Sequence, residues 1–206
     1  MSSLRIAEIL AARLCHDLSS PLGGLETTLE LALEPANPGD HAEAMAAAHH
    51  NARHLIQRLR LLRAAWAADP GPLAVAALDD LVAGLPNRHR LTLHLAGLDP
   101  ELILPPLAGR VILNMLIVAA AALPMGGTIA LAGDAAQEIS LTIAGPRAAW
   151  PIALAAFLAD PAASWTDVSP ASLPALLAAL FAAEAGLRLR LPPDKALPAR
   201  LVLNLD

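Results

Sequence analysis

The first third of the chain carries two long stretches in which apolar residues recur at alternating intervals of three and four positions. In the first stretch, residues 4–34, the apolar seam consists of Ala11, Cys15, Leu18, Leu22, Leu25, Leu29 and Ala32. In the second, residues 40–68, it consists of Met45, Ala48, Ala52, Leu55, Leu59, Leu62 and Trp66. The intervening residues 35–39 contain two prolines and a glycine, which break a helix. This spacing predicts two amphipathic helices that a short loop joins into an antiparallel hairpin.

Each predicted helix has more apolar surface than one partner helix can cover. Further apolar residues flank the two seams, namely Leu10, Leu14, Leu31 and Leu33 in the first helix and Ile56 and Leu61 in the second. A hairpin on its own would leave this surface in contact with water. We therefore expect a homodimer in which two hairpins form a four-helix bundle.

The rest of the chain, residues 70–206, alternates between helical and strand patterns. Helices are predicted over residues 73–85, 107–123 and 172–185, and strands over residues 90–95, 128–131, 137–143, 187–191 and 199–205. Helices on one face of a mixed sheet form a two-layer α/β sandwich. The predicted fold class is therefore α+β, with a helical domain at residues 1–69 and a second domain at residues 70–206.

Composition and charge exclude several classes of protein. The net charge is −5 and the 14 basic residues form no dense cluster, so nucleic-acid binding is not expected. The single cysteine, Cys15, permits neither an internal disulfide nor a cysteine-based zinc site, and its place on the seam predicts a small core residue. The longest apolar run, residues 111–125, is shorter than the ~20 residues that cross a bilayer, and the N-terminus lacks a signal-peptide pattern. We therefore expect a cytoplasmic protein without a membrane segment.

The most unusual local feature of the first helix is a histidine followed by an acid, with a serine and a proline close behind. These residues are His16, Asp17, Ser20 and Pro21. A proline inside a helix removes a backbone donor and clashes with the carbonyl four residues earlier, at a cost of about 3 kcal/mol. That carbonyl belongs to Asp17. A helix that keeps such a defect beside an ionisable pair indicates a functional site.

The chemistry that these residues permit is phosphoryl transfer. His16 lies one residue off the seam, so solvent can reach it, and a neutral imidazole nitrogen is a nucleophile toward phosphorus. Asp17 is suited to hold the ring tautomer or to accept a proton, and Ser20 could donate a hydrogen bond to a phosphoryl oxygen. Gly23 and Gly24 carry no side chains, so the backbone of another protein could come close.

The antiparallel hairpin also places His16 about level with residues 56–60 of the second helix, where arginines are concentrated. A phosphoryl group brings roughly −1.5 to −2 charges, which Arg53, Arg58 or Arg60 could stabilise. We expect Arg58 or Arg60 first. The same side chains could instead pair with acidic residues of a partner or form a solvated helix face. A solvated face is also expected for His49, His50 and His54, because no third metal ligand accompanies them.

Residues 16–22, which read His-Asp-Leu-Ser-Ser-Pro-Leu, resemble the H-box of the dimerisation and phosphotransfer domain of histidine kinases. Residues 70–206 are similar to the ATP-binding domain of these kinases in the order of elements, but they lack its chemistry. Asn114 fits the first asparagine of the ATP-binding helix, whereas Val118 replaces the metal-binding one. Residues 144–149 contain no acid to read adenine, and residues 168–174 contain no glycine for a phosphate loop. The resemblance therefore implies a degenerate domain that binds neither ATP nor another cofactor.

A histidine-kinase layout with a degenerate ATP-binding domain resembles the ChpT-type histidine phosphotransferases. The resemblance implies that His16 is the phosphoacceptor of a homodimer. It would relay a phosphoryl group between the receiver-domain aspartates of a hybrid histidine kinase and of response regulators, with Mg²⁺ held by the receiver. Two alternatives stay open, a dimeric pseudokinase scaffold and a phosphatase, both of which would bind response regulators without relaying phosphorus.

Overall fold

The computed structural model of the chain describes residues 3–33, 38–69, 71–134, 138–160, 168–192 and 199–204. Helix α1 spans Ser3–Leu33 and helix α2 spans Pro38–Trp66, and the two form the predicted antiparallel hairpin. Helix α2 begins two residues before the predicted start at residue 40. Near the loop, Nδ1 of His41 lies 2.6 Å from the carbonyl oxygen of Ala32.

The hairpin covers only part of its own apolar seam. Ala32, Ala48 and Leu62 are buried between the helices or against the rest of the chain. Leu22, at 49% exposed, and Leu59, at 44%, remain half in solvent although they belong to the same heptad pattern. Part of the seam therefore lies on the surface of the hairpin.

After the hairpin, the strands of the described chain form one mixed five-stranded sheet and one two-stranded ribbon. The sheet contains β2 (Leu91–Gly97), β4 (Gly127–Asp134), β5 (Glu138–Ala144), β6 (Arg188–Arg190) and β7 (Ala199–Asn204), and β1 (Leu73–Ala74) pairs with β3 (Ile103–Leu104) in the ribbon. The spatial order in the sheet is β2-β4-β5-β7-β6, in which only the pair of β2 with β4 is parallel. Ile139, Leu141 and Ile143 alternate along β5 with less buried residues, so one sheet face carries the core.

Two long helices support this sheet. They are α4 (Pro106–Ala121) and α6 (Leu173–Glu184), which pack against each other and against the core face. Helix α4 is buried continuously from Val111 to Ala120, which explains why its sequence is apolar all round. The mixed helix-and-sheet architecture confirms the α+β class.

In the chain after the hairpin, one sequence expectation is wrong and one helix was not predicted. The helix predicted over residues 73–85 is wrong: the segment holds β1, a 3₁₀ turn at Val75–Ala77 and the short helix α3, Leu78–Val82. The strand forms because Leu73 and Ala74 pair with β3, and the Val75 N–H donates to the carbonyl of Leu102 at 2.9 Å. A further helix, α5 (Ile152–Ala159), was not predicted, although Pro151 directly before it is a common helix start.

The hairpin, formed by α1 and α2, and the α/β part, formed by the elements from β1 to β7, share one hydrophobic core. Ile9 of α1 and Leu61, Leu62 and Ala65 of α2 belong to the same buried cluster as α4 and α6. The domain boundary expected at residue 69 stays a prediction, since no break in packing occurs between the two parts. Among the described residues, no helix combines the length and apolar character needed to cross a membrane.

A buried polar contact joins the end of α2 to the middle of α4. Trp66 Nε1 donates to Asn114 Oδ1 at 2.8 Å, and Asn114 is fully buried. The amide nitrogen of Asn114 donates to the carbonyl of Arg110 at 2.9 Å. Both ends of this amide are therefore used inside the protein, and the contact fixes how the hairpin docks on the α/β part.

We predict that Trp66→Phe lowers the free energy of unfolding by about 1–3 kcal/mol, because it leaves the Asn114 oxygen buried without its donor. Trp150→Phe is the matched control: its Nε1 is buried and has no hydrogen-bond partner among the described residues, so no bond is lost. Urea denaturation of both variants measures the difference. Equal losses in the two would show that the Trp66–Asn114 bond contributes nothing beyond packing.

Candidate functional site

His16 projects from the middle of α1 into solvent. Its side chain is 80% exposed, and Nδ1 lies 3.4 Å from Asp17 Oδ1, a long contact. The other ring nitrogen, Nε2, has no hydrogen-bond partner among the described residues. This orientation leaves Nε2 as the nitrogen available to an incoming group.

The helix continues through Pro21 without ending. Ser20 lies one turn beyond His16 and is exposed. Gly23 is exposed and has open space where a Cβ would be, and a Cβ on Gly24 would meet only Asn51 Nδ2 at 3.8 Å. The surface that follows His16 along α1 is therefore accessible to a second protein.

Asp17 is the buried centre of the site. Its side chain is 5% exposed, and Oδ2 accepts hydrogen bonds from Arg13 Nε at 2.9 Å and from Arg58 Nη2 at 2.7 Å. Arg58 is itself buried. Burial lowers the pKa of the Arg58 guanidinium, and the neighbouring carboxylate of Asp17 opposes that change. Two guanidinium groups around one carboxylate leave the cluster with a net positive charge directly beside His16.

The same arginines connect this cluster to the α/β part. Arg58 Nη1 donates to the carbonyl of Gly84 at 3.0 Å, and Arg13 Nη1 donates to the carbonyl of Pro170 at 3.2 Å. Gly84 packs so closely on α2 that a Cβ there would overlap the backbone carbonyl of Gln57. Residues 83–87 are thereby held against the hairpin next to His16.

These groups border one cavity of about 420 Å³. The residues that line it are His16, Asp17, Ser20 and Pro21 from α1, His54 and Arg58 from α2, and Ala83, Gly84, Leu85, Pro86 and Asn87 from the α/β part. His54 stands 4.5 Å from His50, ring centre to ring centre. Burial lowers the pKa of His54, and the nearby His50 and His89 lower it further, so a neutral ring is favoured.

The structure brings together most, but not all, of the site residues predicted from sequence. His16, Asp17, Ser20, Pro21 and Arg58 share the cavity. Arg53 is exposed on α2 and does not line it. Arg60 borders a different cavity with Arg63 and Arg110. Cys15, which was expected to be a small core residue, is exposed, so that prediction is wrong for the described chain.

Two features of the site were missed by sequence reasoning. Arg13 forms an ion pair with Asp17, which lies four residues later on the same helix. Ion pairs are common at this spacing, so the sequence could have indicated the contact. Residues 83–87 carry no sequence pattern that points to His16. Within the described parts of the chain, no group of three or more His, Cys, Asp or Glu residues is arranged to hold a metal ion.

This chain is similar to proteins of one known family. Residues 74–196 match the family model of the histidine phosphotransferase C-terminal domain. The protein phosphotransferase ChpT of Brucella abortus (strain 2308) is 29% identical over 155 residues, which cover 70% of each chain.

A solved structure described as a bacterial phosphotransferase superposes with a TM-score of 0.78 over 99% of this chain and 97% of that chain. At 24% identity this likeness shows the shared fold. The family match spans more than half of the sequence and lies in the α/β part, and it confirms the resemblance to the histidine phosphotransferases. The chain belongs to the ChpT-type histidine phosphotransferase family.

Proposed function

We propose that this protein is a phosphorelay carrier in which His16 accepts a phosphoryl group from a receiver-domain aspartate of a hybrid histidine kinase. It then passes the group to the receiver aspartate of a response regulator, an exchange that we place in the cytoplasm. The observation that carries the proposal is an exposed imidazole set beside a buried, net cationic cluster of Arg13, Asp17 and Arg58. The membership of the phosphotransferase family supports it.

The transfer step needs alignment more than covalent machinery. The lone pair of His16 Nε2 attacks the phosphorus of the aspartyl phosphate, and the bond from phosphorus to the carboxylate oxygen breaks with its electron pair leaving on that oxygen. The receiver would supply the aspartate and the Mg²⁺. The reverse sequence of bonds delivers the group to the next receiver.

Asp17 acts in this scheme as a positioning residue. Because Arg13 and Arg58 hold its Oδ2, Oδ1 stays directed at Nδ1 of His16 and favours the tautomer with the proton on that nitrogen. The positive charge left over in the cluster favours a phosphoryl group, which carries roughly −1.5 to −2 charges.

The carrier would depend on its partners for phosphorus because it binds no ATP of its own. The resemblance to kinases matches Asn114 with an ATP-site asparagine. Its side chain is fully buried, and its amide is hydrogen-bonded to Trp66 and to the carbonyl of Arg110. This use of the side chain supports the proposal that the second part of the chain is a degenerate nucleotide domain.

We further propose that the carrier is a homodimer. Five large apolar side chains of the hairpin are between 42% and 49% exposed, namely Leu22, Leu29, Met45, Ile56 and Leu59. Apolar surface at heptad spacing on two adjacent helices suits the formation of a four-helix bundle with a second hairpin.

The relay is tested by incubating the protein with a phosphorylated receiver domain or with Mg²⁺–ATP alone. We predict label on the wild type only with the receiver, no label on His16→Gln, and unchanged labelling of His49→Gln, an exposed hairpin histidine outside the cavity. Labelling by ATP alone would identify a kinase instead. Receiver binding without any label would identify a scaffold, and release of inorganic phosphate without label on the protein would identify a phosphatase.

We predict that Asp17→Asn lowers the free energy of unfolding by roughly 3 kcal/mol, because two guanidinium groups lose their shared counter-ion. The matched control is Glu8→Gln, which removes a carboxylate from an exposed pair with Arg5 and should cost under about 0.5 kcal/mol. At a temperature where both variants are folded, ¹⁵N NMR should also show a smaller fraction of the Nδ1-protonated tautomer of His16 in Asp17→Asn. Unchanged tautomers would refute the positioning role, whatever the stability.

The dimer is tested by sedimentation equilibrium. We predict that Leu29→Glu combined with Leu59→Glu gives a monomer, because charged side chains cannot be buried in the bundle without large cost. Ile152→Glu on α5 serves as the control, since Ile152 is 94% exposed and lies outside the hairpin. A monomeric wild type at micromolar concentration would contradict the homodimer.

A further inference from the structure

A phosphoryl group on His16 would need hydrogen-bond donors around its oxygens, and few donors in the cavity are free to serve. Arg58 already gives one terminal nitrogen to Asp17 and the other to the carbonyl of Gly84. Ser20 offers a single hydroxyl from the same helix as His16. Two further side chains in the lining offer donors with no hydrogen-bond partner among the described residues, namely the ring of His54 on α2 and the amide of Asn87 on the wall formed by the α/β part.

The backbone at Asn87 is held in an uncommon conformation. Its φ of 54° and ψ of 27° are left-handed, a region that asparagine tolerates better than most residues. The carbonyl of Asn87 accepts a hydrogen bond at 2.8 Å from the N–H of Arg90, at the start of the 3₁₀ turn Arg88–Arg90. A non-glycine residue in this conformation beside a reactive group points to a role for its side chain.

The segment that carries Asn87 is anchored on both sides. Before it, Gly84 is fixed by the Arg58 bond and by its close packing on α2, and Leu85 is buried in the core. After it, the 3₁₀ turn leads directly into β2. Asn87 is therefore placed by the fold, while its side chain makes no capping hydrogen bond and is exposed.

We propose that the Asn87 amide donates a hydrogen bond to a phosphoryl oxygen of phosphorylated His16. The α/β part then contributes a contact residue to the transfer site, and residues 83–87 form the wall opposite α1. This inference rests on the proposed relay function. The amide suits the task because it can hydrogen-bond the phosphoryl oxygens during the transfer, and because it is neutral it binds them less strongly than a charged donor would.

Two variants of the full-length protein separate the side chain from the backbone. Asn87→Gly keeps the left-handed conformation and removes the amide, and Asn87→Asp keeps the conformation and shape but places a carboxylate against the phosphoryl oxygens. His94→Asp adds the same charge at an exposed position of β2 outside the cavity and is the control. All three are phosphorylated from a labelled receiver domain and observed by ³¹P NMR and by rapid-quench transfer kinetics.

We expect both Asn87 variants to shift the ³¹P resonance of phosphorylated His16 and to lower the transfer rate at saturating receiver by roughly 10-fold or more, with Asn87→Asp the slower. The receiver concentration at half-maximal rate should stay near the wild-type value, and His94→Asp should match the wild type. An unchanged ³¹P resonance would overturn the contact. So would Asn87 variants in which only the receiver concentration at half-maximal rate changes. If the wild type itself takes no label, the relay proposal fails instead, so the two failures are distinguishable.

Discussion

A single buried carboxylate, that of Asp17, holds the region around His16 together. Asp17 joins α1 to α2 through Arg58, and the two arginines that bind it reach on to backbone carbonyls of the α/β part at Gly84 and Pro170. Removing one member of such a buried set leaves charge without compensation, which costs more than the pair gains by forming. The geometry around His16 is therefore set by an electrostatic cluster whose three members lie in the hairpin and whose arginines also donate hydrogen bonds to the α/β part.

The second connection between the parts has a different chemical character. Asn114 lies in a helix that resembles the ATP-binding helix of kinases, yet its amide is enclosed and bonded to Trp66 at the end of the hairpin. The polar side chain of Asn114 thus serves as an internal contact between the hairpin and the α/β part. The α/β part and the hairpin also share one hydrophobic core, so the two parts are held together by apolar as well as polar contacts.

Sequence patterns were informative where periodicity alone decides structure. The heptad spacing predicted the hairpin and the alternation along β5 predicted a strand, because both patterns are local. The segment at residues 73–85 was misassigned because β1 exists only through pairing with β3, some thirty residues further along the chain. Arg13 could have been found from its spacing to Asp17. The place of Asn87 beside His16 could not, because a hydrogen bond from Arg58 and the missing side chain of Gly84 determine it.

The exposure of the His16 ring bears on how long a carried group would survive. With four-fifths of the side chain in solvent, the ring itself would not keep water away from a phosphoryl group that it carries. Enzymes that protect labile intermediates exclude water from them. An exposed imidazole does not exclude water in this way. The lifetime of the phosphorylated form would therefore be set by how soon another protein binds over it. Such a protein would pass a phosphoryl group on rather than keep it, and the rate of transfer would depend on the concentration of its partners.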